Sequence, residues 1–192
     1  TAELYAIPPR PETQGRTEEI IGSWLAARQC RDKIILATKV AGRSGMTWLR
    51  DDKSPTRLNR AQMTEALENS LKRLRTDYVD LYQLHFPERP MPWGSIPTTY
   101  RENGFATAGD ETPLEEQLAV LDDFIKAGKV RFAGVSNESP WGMMRFLRAS
   151  QMSGLARIQS VQNAYNLVNR TFESGAAEVS EREDVSLLAF SP

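Results

Sequence analysis

The chain has one cysteine and one histidine in 192 residues. A lone cysteine cannot close an internal disulfide. Cys30 therefore reads as an ordinary free thiol near a helix end, and a reducing, cytoplasmic setting is expected. Long hydrophobic runs are lacking as well. No window approaches the ~18 apolar residues of a membrane span, and no stretch has the makeup of a secretory signal. Charge of one sign is not in excess: 24 basic residues stand against 25 acidic ones, a net charge of −1. That argues against nucleic acid as a main partner, because such binders carry a basic face. The one basic cluster, Lys72-Arg73-Leu74-Arg75, ends a predicted helix and complements its dipole there. A glycine-rich phosphate turn is missing too. Gly42 and Gly45 are too sparse after their apolar run, which counts against a Rossmann-type domain.

What is present is an alternation. Short apolar runs at Lys33–Thr38, Val79–Leu84, Val130–Val135, Ile158–Val161 and Val185–Phe190 read as strands buried on both faces. Helical patterns lie between them. Arg16–Arg28 sets Ile20, Ile21, Trp24 and Leu25 on one face, and Asn59–Arg75 sets Met63, Leu67, Leu71 and Leu74 on one stripe. Thr112-Pro113-Leu114-Glu115 has the form of a capping box with proline at the first helical position, opening a stripe of Leu114, Leu118, Leu121 and Ile125. Ser139-Pro140 opens a helix carrying Met143, Met144 and Leu147, and a last helix is predicted from Thr171 to Glu181.

This rhythm is that of βα units around a parallel sheet. A doubly wound sheet and a (β/α)8 TIM barrel both fit it. The long strand-to-helix segments Ala41–Leu58 and Phe86–Glu111 favour the barrel, whose enzymes carry specificity in such loops. A full barrel takes about 250 residues. The expectation is therefore one domain over 1–192, an incomplete barrel of about five βα units, with neither Thr1 nor the closing "LLAFSP" resembling a natural terminus.

In a barrel the C-terminal strand ends converge on one site. Lys39 follows the first apolar run and His85 the second; Ser136 and Asn137 follow the third, Gln162 and Asn163 the fourth, and Ser191 the fifth. Singly, each suits a solvated strand end or a turn. Together they gather proton-transfer and amide groups on one edge.

The segments "TAELY", "LATKV", "VDLYQLHFPERP", "GKVRFAGVSNES", "IQSVQNAYN" and "SLLAFSP" resemble, in order and over nearly the whole chain, the aldo-keto reductase superfamily. "YAIPPRPETQG" is similar to its Tas-like branch, related to potassium-channel β subunits. The resemblance implies an NADP-dependent enzyme that reduces small carbonyl compounds by hydride transfer from NADPH. It gives Tyr5 the proton-donor role, Lys39 that of the ammonium that lowers the tyrosine pKa, and His85 that of orienting the substrate carbonyl. The tetrad's aspartate would precede Thr1. The resemblance also implies that Ser136, Asn137 and Gln162 hold the nicotinamide carboxamide, that Phe190 stacks on the ring where a tyrosine is usual, and that Ser191 approaches the pyrophosphate. Trp48, Phe86, Trp93 and Tyr100 are expected to wall the substrate pocket. The alternative is a nucleotide-binding regulatory or redox-sensing subunit without significant turnover, or an inactive fragment.

Overall fold

The computed structural model describes residues 1–92 and 109–191. Among these residues, five strands form one parallel sheet: β1 (Ala37–Val40), β2 (Val79–Leu84), β3 (Val130–Ser136), β4 (Ile158–Gln162) and β5 (Ser186–Leu187). Their spatial order is their chain order, β1-β2-β3-β4-β5. A doubly wound sheet reverses direction at a switch point. No reversal occurs here, so the stepwise order is that of a run of barrel units. Helices α1 (Arg16–Arg28), α2 (Arg60–Leu74), α3 (Leu114–Lys126), α4 (Pro140–Ser153) and α5 (Ala176–Arg182) fill the connections.

The main core lies between sheet and helices. Met63, Leu67, Leu71 and Leu74 of α2 and Leu118 and Leu121 of α3 are buried against Val79, Tyr82, Val135 and Ile158. The predicted stripes of α2 and α3 thus face inward. On α1 the expected face is only half right: Ile21 and Leu25 pack inward, while Ile20 is 59% exposed and Trp24 46%. The buried line is instead Glu18, Gly22 and Leu25. Gly22 explains this, because a Cβ there would stand 2.2 Å from the Arg73 carbonyl oxygen of α2. The two helices meet backbone to backbone, and larger side chains turn away. Met144 of α4 is likewise exposed, while Met143 and Leu147 are buried.

Boundaries shift where side chains capture the backbone. β1 begins at Ala37 rather than near Lys33, and Arg31–Lys33 forms a short 3-10 turn. Asp80 accepts from the Leu36 N–H (2.8 Å) and from Arg31 (2.8 Å), anchoring the chain just before the strand. Lys39 consequently lies inside β1, not after it. The capping box at Thr112 does not form; Pro113 holds the N-cap position of α3 without a side-chain cap. Thr112 directs its N–H (3.1 Å) and hydroxyl (3.4 Å) to buried Glu88 instead. Ser139 does cap α4, accepting from the Gly142 N–H at 3.2 Å. The last predicted helix divides into a 3-10 turn at Thr171–Glu173 and α5, because Gly175 at φ 137° interrupts it. β5 is shorter than expected, and Phe190 joins the sheet only through a single bridge to Ala164.

The close approach at Gly22 is testable. Alanine is the better helix former by about 1 kcal/mol, yet here its methyl meets backbone. Gly22→Ala should lower stability by about 1–3 kcal/mol, read from the urea unfolding midpoint. An unchanged or raised midpoint would mean that α1 stands farther from α2 than described.

Candidate active site

Because all the strands are parallel, their C-terminal ends share one edge. β1 brings Lys39 there. His85 follows β2, and its N–H donates to Val40 O (2.9 Å), which extends the ladder by one rung. β3 ends on Ser136, and Asn137 follows in the left-handed region at φ 54°. β4 ends on Gln162.

The segment before α1 is pinned across the end of β1. Glu3 donates its N–H to Lys39 O (3.2 Å) and accepts through Oε1 from the Ala41 N–H (2.7 Å). The Arg50 guanidinium grips the same carboxylate with two bonds, 2.8 and 3.1 Å, and Arg50 Nε donates to Gln62 Oε1 (3.1 Å). Both charged side chains are out of water, at 0% and 2% exposure. Two residues on, Tyr5 is thereby set over the strand ends.

The three predicted catalytic residues come together. The Tyr5 hydroxyl lies 3.4 Å from His85 Nε2, the two rings meeting edge to face. Lys39 Nζ lies 5.4 Å from the centre of the Tyr5 ring and donates to Thr1 O (2.8 Å). Burial, aided by the Lys39 charge, pushes the His85 pKa down to about 3, so the imidazole is neutral. Its Nδ1 is buried without a hydrogen-bond partner. Burial also brings Lys39 down to about 8, against an opposing pull from Glu18. Glu18 is itself buried, with its carboxylate taken by the Thr38 hydroxyl and by Arg73 Nε. One expectation is corrected. The Tyr5 pKa is raised by burial, not lowered by the ammonium. At 5.4 Å from the ring, with its own hydrogen bond made elsewhere, Lys39 does not offset the loss of water around the phenol.

The candidate cofactor residues adjoin this group. Asn137 Nδ2 donates to His85 O (2.8 Å) and to Ser136 Oγ (3.2 Å), and the Ser136 hydroxyl donates to Gln162 O (2.7 Å). Gln162 Oε1 accepts from Gln83 Nε2 (3.0 Å). Asn137 Oδ1 and Gln162 Nε2 stand outside these bonds. The set therefore offers both an acceptor and donors, which suits a carboxamide with its one C=O and one NH2. Phe190 is placed beside the end of β4, its N–H donating to Asn163 O (3.1 Å). Ser191 is exposed, with φ 52° and its carbonyl accepting from Asn166 (2.7 Å).

Trp48 and Phe86 pack with Leu4, Tyr5, Ala41, Met46 and Leu49 in a small apolar cluster apart from the main core. Phe86 is buried and backs His85, ring centres 5.5 Å apart. Trp93 and Tyr100 lie outside the described residues. Sequence reasoning missed Glu3, Arg50, Glu18 and Gln83. Gln83 carried a signal, being a neutral polar residue inside the apolar run Val79–Leu84. Arg50 carried none, since nothing local marks an arginine that will be buried.

Comparison with known proteins supplies the remaining observation. The model of the Aldo/keto reductase family matches residues 1–192. The Escherichia coli protein named tas is 46% identical over 99% of this chain and 54% of its own length. An aldo-keto reductase of Babesia bovis is 37% identical over 83% of this chain and 58% of its own. The chain thus spans about half the length of the curated relatives it matches. Among solved structures, a thermostable aldo-keto reductase in complex with the inhibitor epalrestat superposes with a TM-score of 0.68 at 31% identity, over 93% of this chain and 51% of its own. An aldo/keto reductase from Klebsiella pneumoniae, solved with NADP and acetate, gives 0.67 at 26% identity over 98% and 50%. A family match from the first residue to the last, on a sheet stepped in barrel order, leaves one conclusion: the chain belongs to the aldo/keto reductase family.

Proposed function

We propose that the protein is an NADP-dependent oxidoreductase that reduces aldehydes or ketones to alcohols, with Tyr5 as proton donor. The observation that carries this reading is the 3.4 Å contact between the Tyr5 hydroxyl and Nε2 of a buried, neutral His85. NADPH, when bound, supplies a hydride to the carbonyl carbon. The following roles fall to side chains of this chain. Tyr5 gives its proton to the carbonyl oxygen, and its high pKa keeps that proton in place until charge develops on the oxygen. Lys39 then sits beside the phenolate left behind and favours it. His85, being neutral, shares a hydrogen bond with the carbonyl oxygen without bringing a competing acid. Asn137 joins the His85 carbonyl to the carboxamide-facing residues, so the two halves of the site are positioned together. Ser136, Gln162 and Phe190 serve the cofactor, and Ser191 faces its phosphates. Trp48 contributes an apolar wall for the substrate. The NADP in the Klebsiella pneumoniae relative's structure supports the choice of cofactor.

In the intact protein, Tyr5→Phe should cut carbonyl reduction by about 10²-fold or more while leaving NADPH affinity unchanged. Steady-state turnover and a fluorescence titration with NADPH separate the two. Near-normal turnover would remove Tyr5 from the proton-donor role.

The pH profile gives a second check. Lys39 is an ammonium below about 8 and loses its charge above it, so kcat/KM should fall as pH rises through about 8. Arginine remains charged well beyond that range, so Lys39→Arg should move the fall to higher pH. His85 stays neutral down to about 3. A break in the profile near the ordinary histidine value of about 6.5 would show that His85 is hydrated and titrating.

A further inference from the structure

Gln83 is 1% exposed, on the strand face that also carries Lys39, and the proposed mechanism leaves it without a role. Its Nε2 donates to Gln162 Oε1 at 3.0 Å. The contact is unusual in its reach. Gln83 is on β2 and Gln162 on β4, with β3 between them. Two strand spacings are about 10 Å, and a side chain on the middle strand would ordinarily block the path. The residue of β3 in register with Gln83 is Gly134. A Cβ at Gly134 would lie 3.2 Å from Gln83 Cγ and 2.5 Å from Ser160 Oγ. The middle strand is bare where the glutamine crosses it.

The consequence concerns Gln162. A hydrogen bond from a buried side chain to its Oε1 holds the Gln162 side chain in one rotamer. Gln83 Oε1 is itself buried without a partner. Burying an unsatisfied carbonyl carries a cost, which a residue serving only the core would avoid. We propose that Gln83 is a positioning residue: acting across Gly134, it holds the Gln162 side chain in one rotamer and so fixes where its amide meets the nicotinamide carboxamide. This rests on the reading of Gln162 as a cofactor residue. A carboxamide read in one orientation presents one face of the ring to the substrate, so Gln83 contributes to stereochemical fidelity as well as affinity.

The test is a double-mutant cycle in the intact protein, with NADPH binding followed by fluorescence. Gln83→Met keeps the length of the side chain and removes its amide. Its Kd for NADPH should rise about three- to tenfold, the scale of one lost hydrogen bond. In a Gln162→Met background the same change should have no further effect, because Gln83 acts only through Gln162. Gln83→Asn keeps the amide but cannot span β3, and should match Gln83→Met. It serves as the alternative should the methionine variant not fold. Reduction with NADPH deuterated on one face at C4 supplies a second readout: both variants should transfer a larger share of hydride from the wrong face. A merely structural role for Gln83 predicts equal loss of affinity in both backgrounds and unchanged facial selectivity. Either result, or an unchanged Kd, overturns the inference. If the unaltered protein does not bind NADPH, the carbonyl-reductase reading itself fails, and this inference with it. If Gln162→Met alone weakens binding while the Gln83 variants do not, only the inference fails.

Discussion

The buried pair of Glu3 and Arg50 is the constraint on which the candidate site depends. Taking two charges out of water is costly, and the mutual attraction repays it only when the remaining hydrogen-bonding groups are also satisfied. Here they are. The carboxylate takes two bonds from the guanidinium and one from the Ala41 N–H, and Arg50 also donates to Gln62 and to Leu49 O. Leaving either charge buried and alone would cost about 3–5 kcal/mol, a large share of a typical stability of about 5–15 kcal/mol. The pair therefore does more than join two segments. It permits only an arrangement in which the segment bearing Tyr5 lies against β1, and so it brings a phenol from before the first helix to a histidine at the end of β2.

The same device recurs along the strand-end edge. Glu88, buried after β2, accepts from the Leu58 N–H (2.7 Å), from Arg57 and from Thr112. It thus gathers the connection after β1 and both ends of the connection after β2. Glu138, buried after β3, pairs with Arg89 and exchanges backbone–side-chain bonds with Asn163 after β4, at 3.0 and 2.8 Å. Loops are normally the mobile part of such a fold. Here acidic residues excluded from water tie one loop to the next, and the site residues between them inherit a defined geometry.

The strands and helices were largely legible because hydrophobic periodicity is a local signal: in α2 the buried stripe follows it residue by residue, and in α3 Leu118 and Leu121 are buried while Leu114 and Ile125 are partly so. Where the reading failed, a distant partner had intervened. Asp80 moved the start of β1, Glu88 drew Thr112 from its capping role, and the α2 backbone at Arg73 turned Ile20 and Trp24 outward through Gly22. The gathering of Tyr5, Lys39 and His85 was legible from strand ends and family motifs together. Their protonation was not. The direction of the Tyr5 shift turns on how much water reaches the phenol, and burial is a property of the assembled edge rather than of any motif.

His85 is the only imidazole in the chain, and it lies at the centre of the candidate site with its Nδ1 shielded from bulk water. In magnetic resonance terms these 192 residues carry a built-in, uncrowded reporter. Within them, isotopic labelling of histidine alone lights one side-chain spin system, without introducing a probe or altering a residue. The tautomer, the ring environment and the arrival of a ligand would each register on that one signal. The scarcity of histidine, a matter of composition, thus becomes an analytical convenience.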